Sequence, residues 1–290
     1  MSEADPDAAD GFRWRRPTSL LGLAPRSLLV SLVVLTGAAW ALTLYHTLSM
    51  SMPMGIVVRG GMAAEGLGGM AMAGMSGTGW SLGGAAVFLT AWIVMMAAMM
   101  LPAIVPMVVI FASAQARRER NPAVPTWIFI AGYMLVWLAA GILVYVLVET
   151  VSEIATRLGP AERASWAPLA LGATLVMAGL YQFTPIKHIC LSHCRSPFAF
   201  VAQHWRDGRG GALRIGLRHG AYCLGCCWAL FAILVAAGVM SLGWMLLLTL
   251  VVFTEKVLPQ GRLGAGVIGL ALTALGLTVA AGAVSMPWVV

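Results

Sequence analysis

The chain has 290 residues, of which 60% are hydrophobic and only 10% are charged. Its mean hydropathy is +0.88, whereas soluble domains are roughly half apolar and about a quarter charged. This composition excludes a soluble domain and predicts an all-α, polytopic helix bundle that crosses a membrane. The net charge of +7 does not indicate nucleic-acid binding, because the basic residues cluster beside apolar segments, where orientation signals lie.

Residues 1–27 are polar, with acidic residues before basic ones, and are interpreted as a disordered cytoplasmic tail. The remainder, 28–290, is predicted to form the membrane bundle. Seven segments are apolar over roughly the 20 residues that a helix needs to cross the hydrocarbon core. They are Leu28–Leu48, Leu82–Ala112, Thr126–Val148, Ala167–Ile186, Ala221–Val239, Trp244–Leu258 and Leu263–Val284.

Lysine and arginine are distributed unevenly between the two sides of these predicted spans. With the N-terminus inside, fifteen basic residues lie on the inner side, and only Arg59, Arg157 and Arg163 lie on the outer side. Because basic loops tend to stay in the cytoplasm, the N-terminus is expected to be cytoplasmic. The predicted location is the inner membrane of a bacterium, which the chain crosses about seven times.

Residues 49–80 form a predicted external loop that is rich in methionine and glycine. An exposed loop has no core for methionine to fill, and thioethers are soft ligands that favour Cu(I). Two clusters are candidate copper ligands: Met50, Met52 and Met54, and then Met70, Met72 and Met75. The alternative is a linker of biased composition, or one that lies in the membrane interface.

The second predicted span carries a ladder of methionines. Met95 and Met99 are four residues apart, and so are Met96 and Met100, so each pair stacks along one side of a helix. Two prolines follow and can bend this helix. The ladder offers weak thioether sites at mid-membrane depth, although methionine is also a common gap filler in apolar packing.

Two short segments on the predicted cytoplasmic side, in or just beyond the basic segment 187–220, combine cysteine with histidine. The first contains His188, Cys190, His193 and Cys194, and the second contains His219, Cys223, Cys226 and Cys227. Spacings of three and four residues place side chains on one helix face. Thiolates and imidazoles bind Cu(I), Zn(II) and related ions. These eight residues are candidate metal ligands, with a thiol–disulfide role and plain packing as the alternatives.

Glu255 and Lys256 form an ionisable pair near the inner end of the sixth predicted span. Charged residues inside a membrane are costly and indicate function by default. Near the interface, however, a lysine can extend to water. The pair is therefore interpreted either as a functional carboxylate or as an interfacial ion pair between Glu255 and Lys256.

Small residues recur at every fourth position of the last predicted span, at Ala265, Gly269 and Thr273 and again at Gly276 and Ala280. Such a stripe allows the backbone of a neighbouring helix to approach closely. Its simplest interpretation is packing within the bundle.

Four runs of sequence, Tyr181–Pro197, Gly216–Trp228, Thr254–Pro259 and Met95–Pro102, resemble a bacterial domain-of-unknown-function family. Members of that family are described as predicted metal-binding integral membrane proteins. The resemblance covers roughly residues 80–285 and implies a multi-span membrane fold with a metal-related role. Separately, Met95, Met99 and the external methionines are similar to motifs of the trimeric copper-transporter permeases. That likeness is local and implies no shared fold.

The leading hypothesis from the sequence is a membrane protein that handles copper. External methionines would collect Cu(I), the ladder would pass it inward, and the cytoplasmic thiols and imidazoles would receive it. Zinc or another soft metal is an alternative cargo. A second hypothesis is an accessory protein that delivers metal to a membrane metalloenzyme, and a third is a membrane thiol–disulfide oxidoreductase.

The sequence contains no GxxxxGK[ST] phosphate-binding loop, which argues against nucleotide hydrolysis. We therefore expect a protein that is not an enzyme. The expected partners are the lipid bilayer, a metal ion, a membrane metalloenzyme or a metallochaperone, and a second copy of the chain.

Overall fold

A computed structural model describes residues 26–50, 81–117, 123–157, 160–237, 242–258 and 261–283. In these ranges the chain forms nine α-helices and no strand. They are α1 (Arg26–Met50), α2 (Leu82–Ala116), α3 (Ala123–Thr156), α4 (Pro160–Tyr181), α5 (Pro185–Arg195), α6 (Pro197–His204), α7 (Gly208–Ala237), α8 (Leu242–Val257) and α9 (Gly261–Ala280).

Most of the predicted tail 1–27 and of the predicted external loop 49–80 falls outside the described residues. The candidate ligands Met52, Met54, Met70, Met72 and Met75 lie there as well. Met50 ends α1, and its side chain is not among those described. The proposed external copper ligands therefore stay predictions.

Five described helices are long and apolar enough to cross a membrane: α1, α2, α3, α7 and α9. A sixth span arises if α4 and α5, which meet at a bend of 65°, count as one broken span. Helix α8 has 16 residues, fewer than the roughly 20 that a straight span needs. An all-helical chain with several potential spans is thus found, while the number seven and the orientation of the N-terminus stay predictions.

The bend between α4 and α5 lies inside the predicted fourth span. The sequence analysis expected one helix to continue to Ile186, but α4 ends at Tyr181. Pro185 disfavours helical backbone at the residue before it, and Thr184 is extended, with φ −74° and ψ 144°. The Thr184 hydroxyl then accepts a hydrogen bond from the backbone N–H of Lys187 and caps the new helix.

The basic segment 187–220 is helical for most of its length and contains the larger part of α5, all of α6 and the start of α7. Helix α7 begins at Gly208, well before the expected start of the fifth span at Ala221. Gly208 has a φ of +78°, in the left-handed region that glycine adopts without strain. The cysteines of α7 therefore lie in the middle of a long helix.

Helices α3 and α7 cross at a point where glycines allow backbone contact. A Cβ at Gly132 would lie 2.6 Å from the carbonyl oxygen of Leu213, and a Cβ at Gly216 would collide with the carbonyl oxygen of Phe129. One turn further along α7, a Cβ at Gly220 would lie 3.1 Å from the carbonyl oxygen of Tyr133. This close approach sets the position of α3 side chains against those of α7.

Helices α4 and α9 meet in the same way, which confirms the packing predicted for the last span. A Cβ at Gly276 would lie 2.7 Å from the carbonyl oxygen of Gly172, and one at Gly179 would lie 2.7 Å from the carbonyl oxygen of Gly269. The small residues of α9 thus form a contact surface for α4.

Helix α2 packs against α1, α3, α6 and α8 and supplies much of the core. It continues through Pro102 and Pro106. The four ladder methionines, Met95, Met96, Met99 and Met100, expose at most 1% of their surface. Such burial is what gap-filling in a core requires, and it also places the four thioethers away from water.

The α3–α7 crossing is tested by changing Gly216→Ala. The added methyl group would collide with a backbone carbonyl that moves only if the helix moves, so we expect a loss of roughly 1–3 kcal/mol in stability. Thermal unfolding of the purified protein in detergent measures the effect as a lower Tm.

Gly210→Ala is the matched control, because a Cβ at this position of the same helix has nothing within 4 Å. Its Tm should equal or exceed that of the wild type, since alanine favours helix more than glycine does. Equal Tm values for the two variants would contradict the backbone contact.

Candidate metal centre

Four of the five cysteines come together where α5 meets α7. Cys223, Cys226 and Cys227 belong to α7 and are buried, whereas Cys194 reaches them from α5 and is half-buried. The Cys226 and Cys227 sulfurs are 3.3 Å apart. The Cys194 thiol is in side-chain contact with those of Cys223 and Cys226. We call these four residues the thiol cluster; all five cysteines are free.

The helical spacing seen in the sequence explains the α7 part of the cluster. Cys223 and Cys227 are one turn apart, and Cys226 lies three residues after Cys223, so their sulfurs point to one side of α7. Cys226 also donates a hydrogen bond to the carbonyl oxygen of Cys223 at 3.1 Å. The contribution of α5 depends on the bend after Tyr181, which turns that helix against α7.

Cys190 lies outside the thiol cluster although it precedes Cys194 by one helical turn. Its sulfur packs against α7 at Gly225, where a Cβ would come within 2.8 Å of it. The hydroxyl of Tyr181 donates to the carbonyl oxygen of the same glycine at 2.6 Å. Of the predicted Cys190 and Cys194 pair, only Cys194 therefore reaches the other thiols.

Lys256 points into the thiol cluster from α8. Its Nζ donates to the Cys223 sulfur at 2.8 Å, and this lysine is buried. The hydroxyl of Tyr133, on α3, shares a hydrogen bond of 3.0 Å with the same sulfur. Cys223 is thus contacted by an ammonium group, a phenol and other thiols at once.

The interpretation of Glu255 and Lys256 as an ion pair with each other is wrong. Neighbouring residues on a helix point in different directions, and these two side chains have different partners. Glu255 pairs with Lys187 of α5, with Nζ–O distances of 2.9 and 2.8 Å, and Lys187 also donates to the side-chain oxygen of Gln182. Lys187 and Glu255 expose 0% and 2% of their side chains, so this ion pair is internal.

The pair of Lys187 and Glu255 joins the two helices that supply Cys194 and Lys256. It therefore sets the position of α8 relative to α5 beside the thiol cluster. The sequence identified Glu255 and Lys256 as unusual for a span, but it carried no signal for their partners. Nothing in the sequence distinguished Tyr133 from other aromatic residues.

The candidate histidines occupy different surroundings. His219 is buried among aromatic rings, 5.7 Å from that of Tyr133 and 5.3 Å from that of Phe200, and its Nδ1 has no hydrogen-bond partner. His193 stacks on Tyr222 at 4.2 Å and bonds the carbonyl oxygen of Ile189 through Nδ1. His188 also has an Nδ1 atom that is buried without a partner.

Among the described residues, no group of three or more His, Cys, Asp or Glu side chains is arranged as a ready-made metal site. The four thiols instead contact one another, and Cys223 and Cys226 each touch the other three. Thiolates of this kind bind Cu(I) and Zn(II).

The internal ion pair predicts unequal effects for two charge-removing variants. Glu255→Gln leaves Lys187 as an uncompensated buried charge, and we expect a loss of about 3–5 kcal/mol. Arg157→Gln removes an exposed pair with Glu153, at 3.5 Å, and should leave Tm unchanged within error. Thermal unfolding in detergent compares them, and a wild-type Tm for Glu255→Gln would contradict the burial of the pair.

A family model described as PpoB2, copper chaperone, matches residues 89–279. The match covers α3 to α8, most of α2, nearly all of α9, and every residue of the thiol cluster. No curated protein and no solved structure matches the chain. Since the model matches well over half of the sequence, this chain belongs to the PpoB2 copper chaperone family.

Proposed function

We propose that the protein is a membrane-embedded copper chaperone that holds Cu(I) at the thiol cluster and releases it to an acceptor. The observation that carries this proposal is the convergence of Cys194, Cys223, Cys226 and Cys227 around the buried ammonium group of Lys256. The family description, copper chaperone, supports a metal-handling role rather than catalysis.

Charge balance favours a thiolate-bound monovalent ion at this position. A Cu(I) ion held by two thiolates carries a net charge of minus one, which is costly in a buried site unless a positive charge lies beside it. Lys256 supplies that charge at Cys223, and Glu255 does not neutralise it because Glu255 pairs with Lys187. The complex of one Cu(I) ion, two thiolates and one ammonium group is neutral.

The ligand set also favours Cu(I) over zinc. Structural zinc sites use four ligands in a tetrahedral shell, whereas soft Cu(I) is satisfied by a few thiolates. A Zn(II) ion held by all four thiolates would carry a net charge of minus two, of which the single ammonium group of Lys256 would balance only half. His193 and His219 stack on aromatic rings, so the proposal assigns them no ligand role.

Cys194 is the proposed exchange ligand. It is half-buried, whereas Cys223, Cys226 and Cys227 expose at most 1% of their surface. An incoming or outgoing copper ion would pass between Cys194 and an acceptor thiol one ligand at a time, which keeps the ion bound throughout. The acceptor would be a metallochaperone or the copper site of a metalloenzyme.

The membrane is the proposed location. Five helices are long and apolar enough to cross it, and many of their side chains are apolar and outward-facing, such as Val33 on α1 and Leu143 on α3. The uneven distribution of basic residues favours placing α5, α6 and the start of α7 on the cytoplasmic side. Cys194 would then exchange copper with cytoplasmic acceptors.

Removal of single thiols tests the cluster. Cys223→Ser should lower Cu(I) affinity by at least roughly tenfold, because serine is not a soft ligand. Titration of the detergent-purified protein against a chromogenic Cu(I) chelator under reducing conditions gives the affinity. Cys190→Ser is the matched control and should bind copper as the wild type does, since Cys190 packs against Gly225 outside the cluster. Equal losses in both variants would contradict the assignment.

Lys256→Met provides a second variant for the same titration. Methionine is close to lysine in length but has no charge, so every thiol stays in place while the counter-charge is lost. We expect weaker Cu(I) binding with a stoichiometry of one ion per chain unchanged. An affinity equal to that of the wild type would refute the charge-balance argument. The assignment of the thiols as ligands would still be tested by the serine variants.

A second candidate function is inward transfer of copper along the methionine ladder. The observation that favours it is the burial of Met95, Met96, Met99 and Met100 within one helix that continues past two prolines. Four thioethers in two stacked pairs would give a dehydrated Cu(I) ion successive weak partners. The predicted external methionines would supply the ion to this ladder.

The four-site variant Met95→Leu, Met96→Leu, Met99→Leu and Met100→Leu separates transfer from storage. Leucine conserves volume, so the fold should survive, and a conduit would lose its ligands. Copper accumulation by whole cells, measured by elemental analysis, should then fall to the level of cells without the protein. Met177→Leu, at an exposed position, serves as the control. Unchanged accumulation would eliminate the ladder as a path.

A further inference from the structure

A basic cavity of about 250 Å³ lies beside the start of α7, apart from the thiol cluster. Three arginines line it: Arg206 from the turn before α7, and Arg214 and Arg218 from α7 itself. His204 and Trp205 also line the cavity. None of the three arginines belongs to the thiol cluster.

Among the described residues, the three guanidinium groups have no acidic partner. None of them forms an ion pair with a carboxylate in the part of the chain that the structure describes. Arg214 and Arg218 are four residues apart on one helix face, where like charges repel. A general excess of basic residues on one side of a membrane explains why these side chains are positively charged. It does not explain why all three line a single cavity.

The turn that carries Arg206 is held in place by several contacts. The Trp205 ring packs against that of Phe111, with centroids 5.7 Å apart, and its Nε1 donates to Asp207 at 2.9 Å. Gly208 adopts its positive φ immediately afterwards, and a Cβ at Gly211 would collide with the Arg206 carbonyl group. The Arg206 backbone is thus positioned towards α7 before any ligand arrives, which lowers the entropic cost of binding.

The position of the cavity relative to the apolar part of α7 indicates which kind of anion could bind there. Arg218 lies three residues before Ala221, where the apolar part of α7 begins. Tryptophan and arginine at such a boundary lie at the depth of lipid headgroups. Guanidinium groups bind phosphate oxygens through paired N–H donors, and basic pockets between helices at this depth bind anionic headgroups.

We propose that this cavity binds the phosphate group of an anionic phospholipid headgroup. The lipid would occupy the leaflet on the basic side of the bundle, with its phosphate between Arg206 and the two arginines of α7. The proposal depends on the membrane location put forward above, and not on copper binding. It would attach the start of α7, and hence the helix that carries three of the cluster cysteines, to the membrane surface.

The test uses the full-length protein in nanodiscs that contain equal amounts of phosphatidylglycerol and phosphatidylcholine. Native mass spectrometry after release from the nanodisc counts the lipids that stay bound. We expect the wild type to retain phosphatidylglycerol preferentially. In the triple variant Arg206→Gln, Arg214→Gln and Arg218→Gln, this preference should fall roughly tenfold. All three arginines are exposed, so the variant should fold.

A charge-matched control separates a built site from general electrostatic attraction. Arg26→Gln, Arg117→Gln and Arg209→Gln together remove the same charge from exposed positions on the basic side and outside the cavity, and should retain the wild-type preference. Replacement of the three cavity arginines by lysine should give an intermediate loss, because lysine keeps the charge but lacks the paired donors.

Equal retention by the glutamine variant and the wild type would overturn the proposal, and so would an equal loss in the charge-matched control. Glycerol 3-phosphate, added to lipid-free protein, distinguishes a soluble phosphate from a lipid. Binding of it as tight as that of phosphatidylglycerol would overturn the lipid assignment. A Cu(I) titration of the same samples separates the two proposals, because loss of lipid preference with intact copper affinity supports this inference alone.

Discussion

The arrangement of the helices depends on how the few charged side chains in the interior are paired. In the described part of the chain, the buried charged side chains are Lys187, Glu255 and Lys256, two cations and one carboxylate. Because Glu255 pairs with Lys187, the charge of Lys256 is left to the sulfur of Cys223, 2.8 Å away. An unbalanced cation in an apolar interior is costly. The thiol cluster is therefore where the buried charge of Lys256 finds its partner, and in the proposed function thiolates bound to a monovalent metal would balance it.

Helix packing brings these groups together. The glycines at the α3–α7 crossing place Tyr133 beside Cys223, while the bend before Pro185 turns α5 so that Cys194 meets the sulfurs of α7. Helix α8 adds Lys256 and is joined to α5 by the internal ion pair. Helices α3, α5, α7 and α8 thus each contribute at least one side chain to the surroundings of Cys223. A displacement of any one of them alters those surroundings.

The two sites proposed for copper lie in different parts of the fold. The thiol cluster and the methionine ladder belong to different helices, and α2 has its principal contacts with α1, α3, α6 and α8 rather than with α7. A chaperone needs only the cluster and an accessible exchange ligand, whereas a conduit needs a continuous series of soft atoms between the two sites. The family description of the chain as a copper chaperone agrees with the simpler requirement.

The sequence by itself determined the all-helical class, because long apolar runs leave few other ways to satisfy backbone hydrogen bonds in lipid. It also determined the small-residue contact of α9 and the shared face of Cys223, Cys226 and Cys227, since both follow from the 3.6-residue period of a helix. Only the tertiary structure decided that Cys194 joins these thiols and Cys190 does not, that Glu255 pairs with Lys187, and that Lys256 and Tyr133 contact Cys223. Those contacts link residues 29 to 90 positions apart. Local periodicity carries no information about them, because they depend on how the helices cross and where α5 turns.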